Sequence, residues 1–213
     1  MAWRFLKRTI NRMFLTKNPI PPYKNHVVQI GDPILRNKSS PIPVDVIKSE
    51  EVQNVIHLMR SRIQMSNLIG LSAPQIGVPF QIFVVHFPHP SKFFSKEEIA
   101  KKEMEYIENQ VWINPKLTVT DHTCITFSEA CASFKGYSAE VPRFKRVLLT
   151  GVNENGEKKT LDAKGWTSRI IQHEMDHLNG IMFSDRMIPS SLCCTGWHSI
   201  NKFQGLVELR YDN

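Results

Sequence analysis

The pentapeptide His173-Glu174-Met175-Asp176-His177 constrains this chain more than any other stretch. Two imidazoles four positions apart can share one ion on a helix, where residues i and i+4 lie on the same face. Ile170, Ile171 and Leu178 supply apolar stripes around the motif, so 167–179 reads as a helix, with Gly180 placed as its C-cap. Glu174 follows the first imidazole directly. From there its carboxylate can touch a metal-bound water without being a ligand itself. The competing reading is a chance occurrence of the motif on a polar surface helix.

A catalytic site with two histidine ligands needs a third protein ligand and an open coordination position. Leu178-Asn179-Gly180-Ile181 follows the motif and offers no further histidine, so the third ligand must come from elsewhere. Cys131, within Ser128-Glu129-Ala130-Cys131-Ala132-Ser133, is the leading candidate. Without the helix motif, a lone strand cysteine would read as an inert small buried residue. Cys124, Cys193 and Cys194 show no disulfide-framework spacing, which fits a reducing compartment.

The first 18 residues carry Arg4, Lys7, Arg8, Arg12 and Lys17 and no acid, and the first acid in the chain is Asp32. Trp3, Leu6, Ile10 and Met13 recur among these bases at helical spacing. This is the make-up of a mitochondrial transit peptide; the alternative is an ordinary basic surface helix. Pro19, Pro21 and Pro22 then break the helix. We expect residues 1–26 to be presequence and linker, residues 27–213 to be one domain, and the destination to be the mitochondrial matrix. The formal charge of +7 arises partly in this leader, and no nucleic-acid motif accompanies it. No stretch approaches the roughly 20 apolar residues of a membrane span, so no membrane anchor is expected.

Within the domain, Ser49 to Ser66 has apolar residues near a 3.6 period and reads as an amphipathic helix. Gly70 to Gly77 reads as a small-residue loop, Phe80 to Phe87 as a buried strand, and Lys92 to Gln110 as a surface helix. Strands are expected at Val111–Thr120, Thr123–Ser133, Arg146–Asn153 and Lys158–Ala163, with Asn155-Gly156 as a hairpin turn. Leu206-Val207-Glu208-Leu209 could add a last strand. Strands come first and the key helix late. The expected fold is therefore α+β, with antiparallel sheets packed around a central helix carrying the H-E-x-x-H motif.

Three segments, in order, resemble the signature motifs of the peptide deformylase family. They are Gly70-Leu71-Ser72-Ala73-Pro74-Gln75-Ile76-Gly77, Glu129-Ala130-Cys131-Ala132-Ser133, and Gln172-His173-Glu174-Met175-Asp176-His177-Leu178-Asn179-Gly180. The resemblance covers roughly Val27 to Met187. It implies that Cys131, His173 and His177 ligate one divalent metal ion, Fe(II) first and Zn(II) or another divalent ion as alternatives. It implies that Glu174 is the catalytic acid/base, and that Gln75 and the N–H of Ala132 polarise a formyl oxygen. The substrate would be an N-formylmethionyl polypeptide, bordered by Ile69, Gly70, Ala130, Ala132, Trp166 and Arg169. Trp166 and Arg169 lie seven and four residues before His173, on its helix face; plain core packing is the alternative for Trp166. The mitochondrial ribosome is a candidate partner.

The chain departs from the family at Ala130, where glycine is usual, at Ala132, often bulkier, and at Leu68. If position 130 needs positive φ, alanine there costs on the order of 1 kcal/mol or crowds the peptide. Two other readings compete: a weakened paralogue that binds formyl-Met peptides without turnover, and a general endopeptidase. The intact Glu174 and ligand set argue against the first. A cysteine ligand and the Gly70-to-Gln75 loop argue against the second.

Overall fold

The structure is a computed structural model that describes residues 21–206. In chain order its elements are α1 (Glu50–Ser66), β1 (Gly70–Ser72), β2 (Ile82–Phe87), α2 (Lys96–Lys102), β3 (Ile107–Cys131), β4 (Phe134–Val152), β5 (Lys158–Lys164), α3 (Gly165–Leu178), β6 (Cys193–Cys194) and α4 (Trp197–Lys202), with short 3-10 turns in some of the connections.

Strand β2 is covered on both faces, which explains why its sequence is a continuous apolar run and not an alternation. Ile82 and Val84 enter a first core with Leu71, Ile76, Val111 and Ile113. Phe83 and Val85 enter a second with Trp112, Val147 and Leu149. Helix α1 closes the first through Ile56, Met59 and Ile63, and α3 closes the second through Ile170, Ile171 and Leu178. Burying each such side chain contributes roughly 1.5–3 kcal/mol. Helix α1 starts where Ser49 accepts a hydrogen bond from Val52 N–H, and stops at Asn67, whose φ of 50° is left-handed.

The strands run in the order β1-β2-β3-β4-β5, antiparallel at each pairing, with β6 added to β4. The α+β fold with antiparallel strands around the motif helix is thus the one observed, although the strands form one hydrogen-bonded sheet. Strands β3 and β4 make this possible. They are 25 and 19 residues long, and their pairing shifts register between Val119 and Cys124. Such bulges bend a ribbon. One end of the hairpin pairs with β2 and β5, and the other ends in the tight turn from Cys131 to Phe134 near α3.

Several expected bounds shift. The helix expected over Lys92 to Gln110 is confined to Lys96–Lys102, because Ile107 pairs with Phe87 and enters the second core. Gly70–Ser72 is a strand and not a loop, since all three residues pair with β2. Leu206 has no regular structure, and Val207 to Leu209 lie outside the described residues. The chain docks on the body from Tyr23 on: Tyr23 N–H donates to Ile76 O, Val28 N–H to Gln75 O, and Ile30 N–H to Ser133 O.

Candidate active site

Helix α3 and the tip of the β3–β4 hairpin converge. The helix brings His173 and His177 to within 5.0 Å of each other, ring centre to ring centre. The hairpin tip brings Cys131 Sγ to 3.3 Å from His177 Nε2. One donor atom from each of Cys131, His173 and His177 lies within 4.8 Å of the others, the sole such grouping among the described residues.

The surroundings decide how each donor is presented. His173 Nδ1 lies 3.0 Å from Glu129 Oε2, which leaves Nε2 for the cluster. A carboxylate on the far nitrogen fixes the ring and raises its basicity as a ligand. Cys131 Sγ accepts from Ser133 N–H at 3.4 Å and from Gln75 Nε2 at 3.6 Å, donors suited to a thiolate. His177 Nδ1 is buried and makes no hydrogen bond. Once deprotonated, a cysteine thiolate and two imidazoles are a donor set that suits iron or zinc, so the residues fit a divalent ion.

The charges below the cluster are paired. Glu129 is grasped by Arg143 through both carboxylate oxygens, at 2.9 Å each, and by Arg169 at 2.6 Å. Arg143 also meets Asp176, which Arg186 holds at 2.7 Å. Burial would raise the Glu129 carboxyl, but hydrogen bonds and charge from His173 and Arg143 outweigh it and hold the group far below the carboxylate range. For His173, burial acts downward and is outweighed by Cys131 and Glu129, so its pKa is raised. His177 is lowered, first by burial and then by the charges of His173 and Arg143. We expect Glu129→Gln to weaken metal binding by about 10- to 100-fold, because the ring loses its charged partner. Chelator competition measures this, and an unchanged affinity would detach Glu129 from the centre.

Glu174 is buried and turned toward β1. Its Oε2 is 2.6 Å from Ser72 Oγ, and a Cβ on Gly70 would stand 2.3 Å from its Oε1. Gly70 is therefore required for the seat of Glu174. Burial raises the Glu174 pKa, against the opposing influence of His173 and the Ser72 hydroxyl. A raised carboxyl pKa suits a group that must both take and give a proton near neutrality. Gln75 is 2% exposed. Its Oε1 accepts from Ser72 N–H at 2.8 Å, and its Nε2 donates to Ser133 Oγ at 3.1 Å.

Glu174, Gln75, Cys131 and His173 all open on a cavity of about 230 Å³. Ile69, Gly70, Ala130, Ala132, Trp166 and Arg169 also line it, so every residue expected to border substrate is brought there. Arg169 contributes as a wall, since its guanidinium is bound to Glu129 and to the carbonyls of Val141, Phe127 and Ile125. Ala130 is not among the residues with positive φ, so the backbone strain considered for alanine there does not arise. Sequence reasoning assigned no role to Glu129, although it stands two residues before Cys131. It also missed Arg143 and Ser72. Arg143 has no local signal, because its partners lie on another strand and a helix.

The chain matches the polypeptide deformylase family over residues 24–192. It is 36% identical over 200 residues to the mitochondrial peptide deformylase of Homo sapiens, covering 93% of this chain and 80% of that one. Against peptide deformylase 1A, chloroplastic/mitochondrial, of Arabidopsis thaliana it is 36% identical, covering 76% of this chain and 61% of the relative. Among solved structures, Arabidopsis thaliana peptide deformylase 1B in complex with an inhibitor superposes with a TM-score of 0.64 at 32% identity, covering 83% of this chain and 86% of that one. The Met-Ala-Ser-bound enzyme of Acinetobacter baumannii gives 0.67 at 25%, covering 76% and 96%. With the family match spanning most of its length and its fold shared with solved deformylases, the chain belongs to the polypeptide deformylase family.

Proposed function

We propose that this chain removes the formyl group from the N-terminal formylmethionine of newly made organellar proteins, with Cys131, His173 and His177 as metal ligands and Glu174 as acid/base. One observation carries the reading: the three donor atoms gather within 4.8 Å of one another beside a cavity that also exposes Glu174 and Gln75. A divalent cation held there supplies Lewis acidity, making water acidic near neutral pH and polarising a carbonyl. The chain does the rest. Glu174 takes the proton of the attacking water as oxygen bonds to the formyl carbon. Gln75 Nε2, giving up its hydrogen bond to Ser133 Oγ, and the N–H of Ala132 donate to the formyl oxygen as charge builds on it, each such donor contributing about 3 kcal/mol. Glu174 then delivers its proton to the nitrogen as the carbon–nitrogen bond breaks, leaving formate and a free methionine amine. The methionine side chain occupies the apolar part of the cavity, between Leu68, Ile69, Trp166 and Ile170.

Fe(II) is the proposed working ion. Zn(II) is favoured by intrinsic affinity, so metal supply decides occupancy. The matrix is the proposed compartment, and the mitochondrial ribosome, where formylated chains emerge, is a proposed partner. No helix among the described residues is long and apolar enough to cross a membrane. Formate release from formyl-Met-Ala by anaerobically purified protein, alongside metal analysis, tests the activity. Metal-loaded protein that releases no formate would overturn it.

The proposed presequence and linker, residues 1–26, end where Tyr23 already docks on the body, while residues 1–20 fall outside the described residues. We expect residues 1–20 fused to a reporter to carry it into mitochondria. A reporter left in the cytosol would remove the argument from the leader's composition.

A further inference from the structure

The cavity wall formed by Trp166 is supported from outside by helix α2 and the residue that caps it. Gly165, the first residue of α3, has φ of 54°, and a Cβ there would meet Glu103 Cβ at 2.5 Å and the carbonyls of Lys102 and Glu103 at 3.0 Å. The C-terminal end of α2 is thus pressed onto the start of α3. From that end the Lys102 ammonium stands over the Trp166 ring, 5.2 Å from its centre, and 5.8 and 5.7 Å from those of Phe127 and Phe94. Phe127 in turn lies 6.2 Å from Trp166.

Among the described residues no hydrogen bond fixes this indole. Trp166 Nε1 is buried and makes no hydrogen bond, so packing and neighbouring cations set the ring's place. Arg169 is the other cation, 5.9 Å away, and its donors are tied to Glu129 and backbone carbonyls. Among the described residues, the one ion pair of Lys102 is at 3.9 Å to Glu98 on its own helix. A small crevice bounded by Lys102, Phe127, Gly165 and Arg169 adjoins this packing.

We propose that Lys102, docked through Gly165, is a positioning residue that sets the depth of the side-chain cavity by fixing Trp166, and so selects the first residue of the formylated substrate. This rests on the proposed deformylase reading, because it concerns that same cavity. Its reach is selectivity, since Lys102 does not line the cavity itself.

The test compares full-length Lys102→Met, which keeps length and loses charge, with Lys102→Arg, which keeps a cation. Formate release is measured on formyl-Met-Ala and formyl-Phe-Ala. In Lys102→Met the preference for Met over Phe should fall by about fivefold, the scale of one cation–aromatic contact. The change should lie in KM, with kcat on formyl-Met-Ala, metal content and Tm near wild type. Lys102→Arg should restore the preference. Gly165→Ala should shift selectivity in the same direction if it folds, and Lys102→Met decides the matter if it does not. A wild-type preference in Lys102→Met, or an equal loss in Lys102→Arg, overturns the proposal. Should the wild type release no formate, the deformylase reading fails, and calorimetric binding of Met-Ala-Ser and Phe-Ala-Ser then judges Lys102 by the same ratio.

Discussion

Cys131→Ser, His173→Ala and His177→Ala each lose the bound metal, whereas Cys124→Ser, Cys193→Ser and Cys194→Ser keep it. The expectation follows from what each side chain faces. Cys131 is buried and lies 3.3 Å from His177 Nε2, under donors from Ser133 and Gln75. Cys124 and Cys193 are exposed and Cys194 is half-buried, and among the described residues none shares a donor cluster with another ligand type. A serine hydroxyl keeps the shape of Cys131 but not a thiolate's charge or softness, so a three-donor site becomes a two-donor one. Losing one of three ligands should reduce metal content from near stoichiometric to near background after dialysis. The loss should also lower Tm, because an ion that binds only the folded chain stabilises it by mass action. Plasma emission analysis of the six variants, purified identically, checks this. Equal metal in Cys131→Ser and wild type would sink the ligand assignment.

The helix motif could be found in the sequence because its information is local. Helical spacing puts His173 and His177 on one face whatever surrounds them, and the apolar residues about them fix the helix. Cys131 could be named only by what the histidines lacked and by its family context, since its place depends on a hairpin of two long strands. The two-faced burial of β2 was legible as an apolar run. Its consequence, one core under α1 and another under α3, was not, because a run of that length does not say what covers it. Ile107 to Gln110 misled for a related reason: their charged neighbours suit a helix, but pairing of Ile107 with Phe87 and burial in the second core prevail. Asp176 lies inside the motif yet faces Arg143 and Arg186. The network that orients His173 joins β3, β4 and α3, and no spacing along one segment reports such a meeting. Removing Arg143 would leave Glu129 and Asp176 buried without their shared partner, a change that typically costs about 3–5 kcal/mol.

Glu174→Gln separates the roles that remain. The amide keeps the side chain's length and can still meet Ser72 Oγ, so the seat beside Gly70 is preserved. It cannot take a proton. Metal content should stay near wild type, because Glu174 is outside the three-donor cluster. The turnover number should fall by 10²-fold or more, the usual scale for losing a general acid/base, with little change in KM. Glu174→Asp should fail too, since the shorter arm draws the carboxylate back by about one bond length and breaks the approach to Ser72. Gly70→Ala offers an independent approach to the same atom. Its methyl would overlap Glu174 Oε1, so the carboxylate must move although its chemistry is intact. A fall in kcat in Gly70→Ala with metal retained would mark position as well as proton capacity as essential. If Glu174→Gln loses the metal, Glu174 belongs to the ligand scaffold. If it turns over like wild type, water is activated without this carboxylate, and the assignment of Glu174 as acid/base is wrong.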